Sequence, residues 1–138
     1  MKIHSTNYYN TFIEVAEDCS ALSGATPPAR AGNPSVAALQ YDQLKSHPYH
    51  FTSDEILFLV FALRKEIPRP EWEAEKKRFF STGQACLRAS PLAKSYGWGI
   101  HFDKDGKIAL YGRESEEYQQ FMDDASIKKL KAMRSKRT

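Results

Sequence analysis

Apolar and polar positions alternate most cleanly where Trp98, Ile100 and Phe102 precede the turn residues Asp103-Lys104-Asp105-Gly106, with Ile108 and Leu110 beyond it. A period of two on both sides of a turn predicts a β-hairpin, with Gly106 supplying the positive φ that closes a short loop. If Asp103 pairs with Lys107, Phe102 meets Ile108 and Ile100 meets Leu110 on one face, which together with Trp98 faces the core. The opposite face then pairs His101 with Ala109 and Gly99 with Tyr111. Two rings capable of hydrogen bonding stand beside residues too small to cover them. Either a helix packed close over Gly99 and Ala109 or a ligand fills that space.

Elsewhere the pattern is coarser. Residues 8–16, YYNTFIEVA, alternate Tyr9, Thr11, Ile13 and Val15 against Asn10, Phe12 and Glu14, which predicts a strand. Residues 17–33 shift to Ser, Ala, Gly and Pro and read as a long loop. Asn33 as N-cap and Pro34 as first helical residue open a helix over 35–46 that buries Val36, Leu39, Gln40 and Leu44 and stops at His47-Pro48. Thr52-Ser53-Asp54-Glu55 is a capping box, with Arg64 and Lys65 at the far end. The apolar run 56–63 between them fits a buried helix or a buried strand by periodicity, and the caps favour the helix. After Pro68 and Pro70, EWEAEKKRFFS places Trp72, Lys76, Phe79 and Phe80 on one side of a charged helix ending near Gly83. A short strand over 85–89, a helical turn over 92–96 capped by Ser90-Pro91 and closed by Gly97, and a helix over 116–122 capped by Ser115 follow, while 126–134 fits a strand or a helix. Helices and strands mix without a βαβ rhythm. The expected class is therefore α+β: one domain over 1–138 with a mostly antiparallel sheet, its hairpin at 98–111 packed against three to four helices.

Composition narrows the class without naming a chemistry. A chain of 138 residues, 41% hydrophobic and 27% charged, suits one folded domain and excludes disorder throughout. Its longest apolar run falls far short of the roughly 20 residues that cross a bilayer, and MKIHSTNYYN carries no apolar leader core, so a cytoplasmic location with no membrane partner is expected. There Cys19 and Cys86 are free thiols. The net charge of +3 hides an asymmetry, because Lys128, Lys129, Lys131, Arg134, Lys136 and Arg137 all lie in the last eleven residues and leave the rest of the chain at −3. A basic tail from 128 is a solvated terminus or a contact for nucleic-acid phosphates.

At TNYYNTFIEVAEDC, at RASPL followed by YGWGIH, and at KAMRSKR, the chain resembles an uncharacterised bacterial family of small domains of unknown function. The likeness spans nearly the whole chain in three ordered motifs. It implies no activity, ligand or catalytic residue for these positions.

Candidate chemistry is sparse. Covalent catalysis would draw on Cys86 or Ser90 with His101 as base and Arg88 holding an oxyanion, though neither a G-x-S-x-G nor a C-x-x-C motif surrounds them. A metal would need His47 and His50 joined by His4 or His101, a weak spacing, and no metal or cofactor is expected. Asp103 and Asp105 imitate the start of a calcium loop, yet Ile108 stands where that loop needs glycine. Gly97-Trp98-Gly99 lies inside a predicted strand, not at a phosphate-binding turn. The leading expectation is a binding module. In it Arg88, His101 and Tyr111 receive a small anionic or polar molecule or a partner's side chain, with Trp98 or Tyr96 at the entrance and Cys86 nearby.

The hairpin register makes its own claim: Phe102→Ala should destabilise the fold by a few kcal/mol in denaturant unfolding, as loss of a large core aromatic does. A cost under about 1 kcal/mol would place Phe102 on the other face.

Overall fold

In the computed structural model, which describes residues 4–29 and 32–135, four strands form one mixed sheet in the order β3-β2-β1-β4. β1 spans Thr11–Glu14, β2 Trp98–Phe102, β3 Ile108–Gly112 and β4 Lys128–Lys131. β1–β2 and β2–β3 are antiparallel, while β4 lies parallel to β1. The class is α+β as the pattern implied, with parallel pairing at one edge.

The hairpin has the expected register, Phe102 opposite Ile108, Ile100 opposite Leu110 and His101 opposite Ala109. Its turn closes because Asp103 Oδ1 accepts the backbone N–H groups of Asp105 and Lys107 at 2.9 Å each, while Gly106 takes φ +79°, a conformation that disfavours any side chain. The two acids are thus turn chemistry. Ile100, Phe102 and Ile108 are fully buried with Ile13 of β1.

Helices α1 (Val36–Ser46), α2 (Ser53–Arg64) and α4 (Pro91–Lys94) cover that face. α2 is a helix because its capping box forms in both directions: Thr52 Oγ1 accepts from Glu55 N at 3.2 Å and Glu55 Oε1 from Thr52 N at 2.9 Å. α1 starts later than the sequence implied. Ser35 caps it, accepting from Ala38 N at 3.1 Å, so Asn33 and Pro34 precede the helix. Ser90 caps α4 and donates to Gln40 of α1 at 2.6 Å, tying the two helices together through a buried polar pair. α3 (Trp72–Phe79) follows a single 3₁₀ turn, Arg69–Glu71, and ends before Gly83. Its Trp72 and Phe79 join Phe58, Phe61, Ala62 and Phe80 in a satellite cluster beside the main core. α5 (Glu116–Asp123), capped by Ser115, lies on the other face of the sheet.

Three expectations change. The first strand begins at Thr11, because Asn10 turns the chain at φ 49° and leaves Tyr9 exposed. Its faces are both buried: Thr11, Phe12 and Ile13 are all at most 1% exposed, as befits a central strand. The segment at 85–89 is a 3₁₀ turn, Leu87–Ala89, because the edge of β1 is taken by β4, the four-residue strand Lys128–Lys131 within 126–134. The basic end is therefore part of the sheet, with Lys128 N donating to Asn10 O at 3.0 Å and Ala132 N to Glu14 O at 2.9 Å.

Truncation after Ile127 should consequently abolish cooperative thermal unfolding by circular dichroism. It strips β1 of one hydrogen-bonded edge and each buried backbone group left unpaired costs about 1–3 kcal/mol. A truncated chain melting like the full one would show β4 to be dispensable.

Candidate functional site

The face carrying His101 is built by alternation: Gly99 and His101 of β2 point away from Ile100 and Phe102, towards the side where Phe12 of β1 also stands. α5 closes over them. Tyr118 and Phe121 are three residues apart and fall on one side of that helix. Phe121 stacks on His101 with ring centroids 4.1 Å apart, and Tyr118 meets Phe12 edge-on at 5.0 Å. Gly99 is required by this approach, since a Cβ there would come within 2.6 Å of the Tyr118 ring and also strike Phe12. The Tyr118 hydroxyl accepts from Val15 N at 2.9 Å, and burial raises its pKa.

Tyr49 supplies the remaining cover. Its φ of 58° is unusual for a bulky residue, and its N–H donates to Ile108 O at 2.8 Å. That backbone brings its hydroxyl within 2.8 Å of both His101 Nδ1 and Tyr111 Oη. Burial lowers the His101 pKa against the opposing charges of Asp103 and Asp124, and burial with the Tyr111 hydrogen bond raises that of Tyr49. Of the two fillers the pattern allowed above Gly99 and Ala109, a close-packed helix is the one present. Neither Tyr49 nor Phe121 stood among the candidate residues. The i, i+3 aromatics of YQQF were the available signal for the helix, and nothing local marks Tyr49.

The other candidates lie apart from His101. Cys86 Sγ accepts from the Tyr8 hydroxyl at 3.3 Å, and the Tyr8 ring packs edge-on against Phe102 at 5.4 Å, so this thiol lies on the core side of the sheet, opposite His101. Tyr8 is pushed up to about 12 by burial, with the Cys86 hydrogen bond adding to the shift. Arg88 Nε donates to Lys131 O at 2.7 Å on the β4 edge, two strand spacings or about 10 Å from the strand of His101. The thiol, guanidinium and imidazole are not brought together. Trp98 and Tyr96 instead fix the 17–33 loop: Trp98 Nε1 donates to Ala25 O at 2.8 Å, and Tyr96 O accepts from Ala25 N at 2.8 Å. Lys45 Nζ lies 5.0 Å over the Trp98 ring.

At the basic end, Lys131 Nζ pairs with Glu17 at 2.8 Å, and Lys129 Nζ donates to the carbonyls of Asp124 and Ile127. Lys128 and Arg134 are exposed, and Lys136 and Arg137 lie outside the described residues. Among the described residues no three His, Cys, Asp or Glu side chains gather as metal ligands, and no helix is long and apolar enough to cross a membrane.

Open space lies elsewhere, between α2 and α3. A cleft of ≈ 570 Å³ is walled by Phe51, Phe58, Leu59 and Trp72 with Arg69, Glu73 and Lys76 on its rim. An adjoining hollow of ≈ 550 Å³ shares Glu55, Glu73 and Lys76 and extends to Asn7, Asp54 and Lys77. Trp72 stands edge-on to Phe58 at 5.8 Å, its indole N–H held by Ile67 O at 2.8 Å, and the Arg69 guanidinium lies 4.4 Å over its ring. The sequence placed Trp72, Lys76 and the phenylalanines on one helix side, but only packing against α2 made that side a cleft wall.

Fold and site together define a small single-domain α+β protein with a covered hairpin face and an aromatic-walled cleft. The chain belongs to the family of unknown function DUF6157, which it matches over residues 3–138. No curated protein and no solved structure matches it.

Because His101 is held below the ordinary histidine value of about 6.5, the unfolded chain takes up this proton first. The stability contributed by neutral His101 is whole above that value and is lost as pH falls below it towards the folded pKa. The melting temperature should drop as pH falls below about 6.5, and less so in His101→Gln. Parallel curves for the two proteins would show that His101 is not the group responsible.

Proposed function

We propose that the protein is a binding module whose recognition site is the α2–α3 cleft. The observation that carries this reading is the uneven filling of the molecule. Phe121, Tyr118 and Tyr49 close the hairpin face, whereas Phe51, Phe58 and Trp72 border ≈ 570 Å³ of open space. That volume lies within the range of about 300–1,000 Å³ usual for small-molecule sites, and an apolar wall with a few charged groups at its rim is their common composition. α3 suits the role of a wall, since none of its residues is fully buried and it rests on α2 through rings, which can shift to admit a ligand.

Catalysis draws no support from this arrangement, because a nucleophile needs a base within hydrogen-bond reach and Cys86 and His101 face opposite sides of the sheet. The basic end is less suited to a phosphate backbone than its composition suggested, since Lys129 and Lys131 are spent on carbonyls and Glu17.

The reading is tested by titrating a library of small polar and aromatic metabolites into isotope-labelled protein and following amide and indole resonances. Saturable shifts are expected at the Trp72 indole N–H, Phe51 and Lys76. Hits confined to His101 and Tyr111, or no saturable hit, would overturn it.

A further inference from the structure

We infer that the ligand of the α2–α3 cleft carries an oxyanion, a carboxylate or a phosphate, on a flat apolar body, an inference that rests on the cleft being the binding site. The lining charges balance in number but not in commitment. Asp54 accepts from Thr6 N at 2.8 Å, from Thr6 Oγ1 at 2.7 Å and from Ser5 Oγ at 2.9 Å. Glu55 accepts the capping N–H of Thr52 at 2.9 Å and lies 3.6 Å from Lys107 Nζ, and its pKa is lowered by those contacts against the effect of burial. Both carboxylates are therefore occupied by the machinery that starts α2 and anchors the N-terminal segment.

The cations are not so engaged. Among the described residues Arg69, Lys76 and Lys77 have no carboxylate partner, and none of their side-chain N–H groups has a hydrogen-bond acceptor. Glu73 is the one lining carboxylate in the same condition. It stands one turn before Lys76 and Lys77 on the same helix, close enough for either to offset its charge. The surplus falls on Arg69 and the remaining lysine. The Arg69 guanidinium carbon lies 4.4 Å from the centre of the Trp72 ring, a cation–π contact that uses none of its N–H groups and leaves them available for a forked contact with two oxygens. Lys76 lines both hollows and adds a mobile point charge. The apolar body follows from the rings of Phe51, Phe58 and Trp72 and the aliphatic chain of Leu59, with the Trp72 indole N–H already bonded to Ile67 O.

Four probes of matched shape separate the alternatives: indole-3-acetate, phenyl phosphate, tryptamine and indole, each titrated into the labelled wild-type protein. The acetate or the phosphate should shift the Trp72 indole N–H and the cleft amides at least about tenfold more tightly than tryptamine, the equivalent of one charge-assisted hydrogen bond. Which of the two binds better identifies the oxyanion. Arg69→Gln should weaken that probe roughly tenfold with the amide spectrum otherwise preserved, and Lys76→Gln, at an exposed side chain with no partner, provides a second variant. Tryptamine binding the cleft as well as the anions, or affinity unchanged in both variants, overturns the oxyanion while leaving the cleft as the site. If no probe produces saturable shifts there, the cleft reading itself falls.

Discussion

The backbone of Thr11–Glu14 has to be hydrogen-bonded along both edges, and most of this fold follows from meeting that demand. The strand is only four residues long and three of them are completely enclosed, so an unpaired N–H or C=O would have no water to turn to. The hairpin satisfies one edge through antiparallel pairing with β2. The other edge can be satisfied only by chain from the far end, and Lys128–Lys131 comes back parallel to it. A sequence segment that looks like a solvated basic tail is thereby made structural.

The opposite limit of the sheet is handled differently. β3 would be an open edge, but the turn after α1 lies along it: Tyr49 N donates to Ile108 O, Ile108 N donates to Phe51 O, and Thr52 bridges Lys107. The left-handed backbone at Tyr49 is the cost of turning into that position, and it aims the phenol across the edge to hold His101 and Tyr111. One segment therefore blocks the sheet edge, closes the hairpin face and leads directly into the capping box of α2. Among the described residues no buried side-chain nitrogen or oxygen lacks a partner.

Openness is left to the periphery. The satellite cluster of Phe58, Phe61, Phe79 and Phe80 holds α3 against α2 but does not close over Phe51 and Trp72. The carboxylates on the α2 side of the cleft are committed to capping and anchoring, and the cations on the α3 side are not. A site assembled this way borrows its rigid wall from the core and its charge from an exposed helix.

What the sequence by itself determined was whatever depends on neighbours in the chain. The hairpin register followed from alternation around a Gly-closed turn, α2 from its capping box, α4 from Ser90-Pro91, and the resemblance to a family of unknown function from three ordered motifs. Tertiary structure decided everything that depends on distant partners. Residues 126–134 have no period that separates strand from helix, and the vacant edge of β1 made Lys128–Lys131 among them a strand. Residues 85–89 read as a strand and are a turn, because that edge was already filled. Arg88, Cys86 and His101 are close in sequence and compatible in chemistry. Alternation in β2 and the pairing order β3-β2-β1-β4 nevertheless set His101 on the face opposite Cys86 and two strands from the edge that Arg88 contacts. The space beside His101 was legible as a need for cover, and only the packing of Phe121 and Tyr49 from elsewhere in the chain decided what supplied it. The cleft was not legible at all, since a concave surface is a property of two helices' separation and no single stretch of residues encodes it.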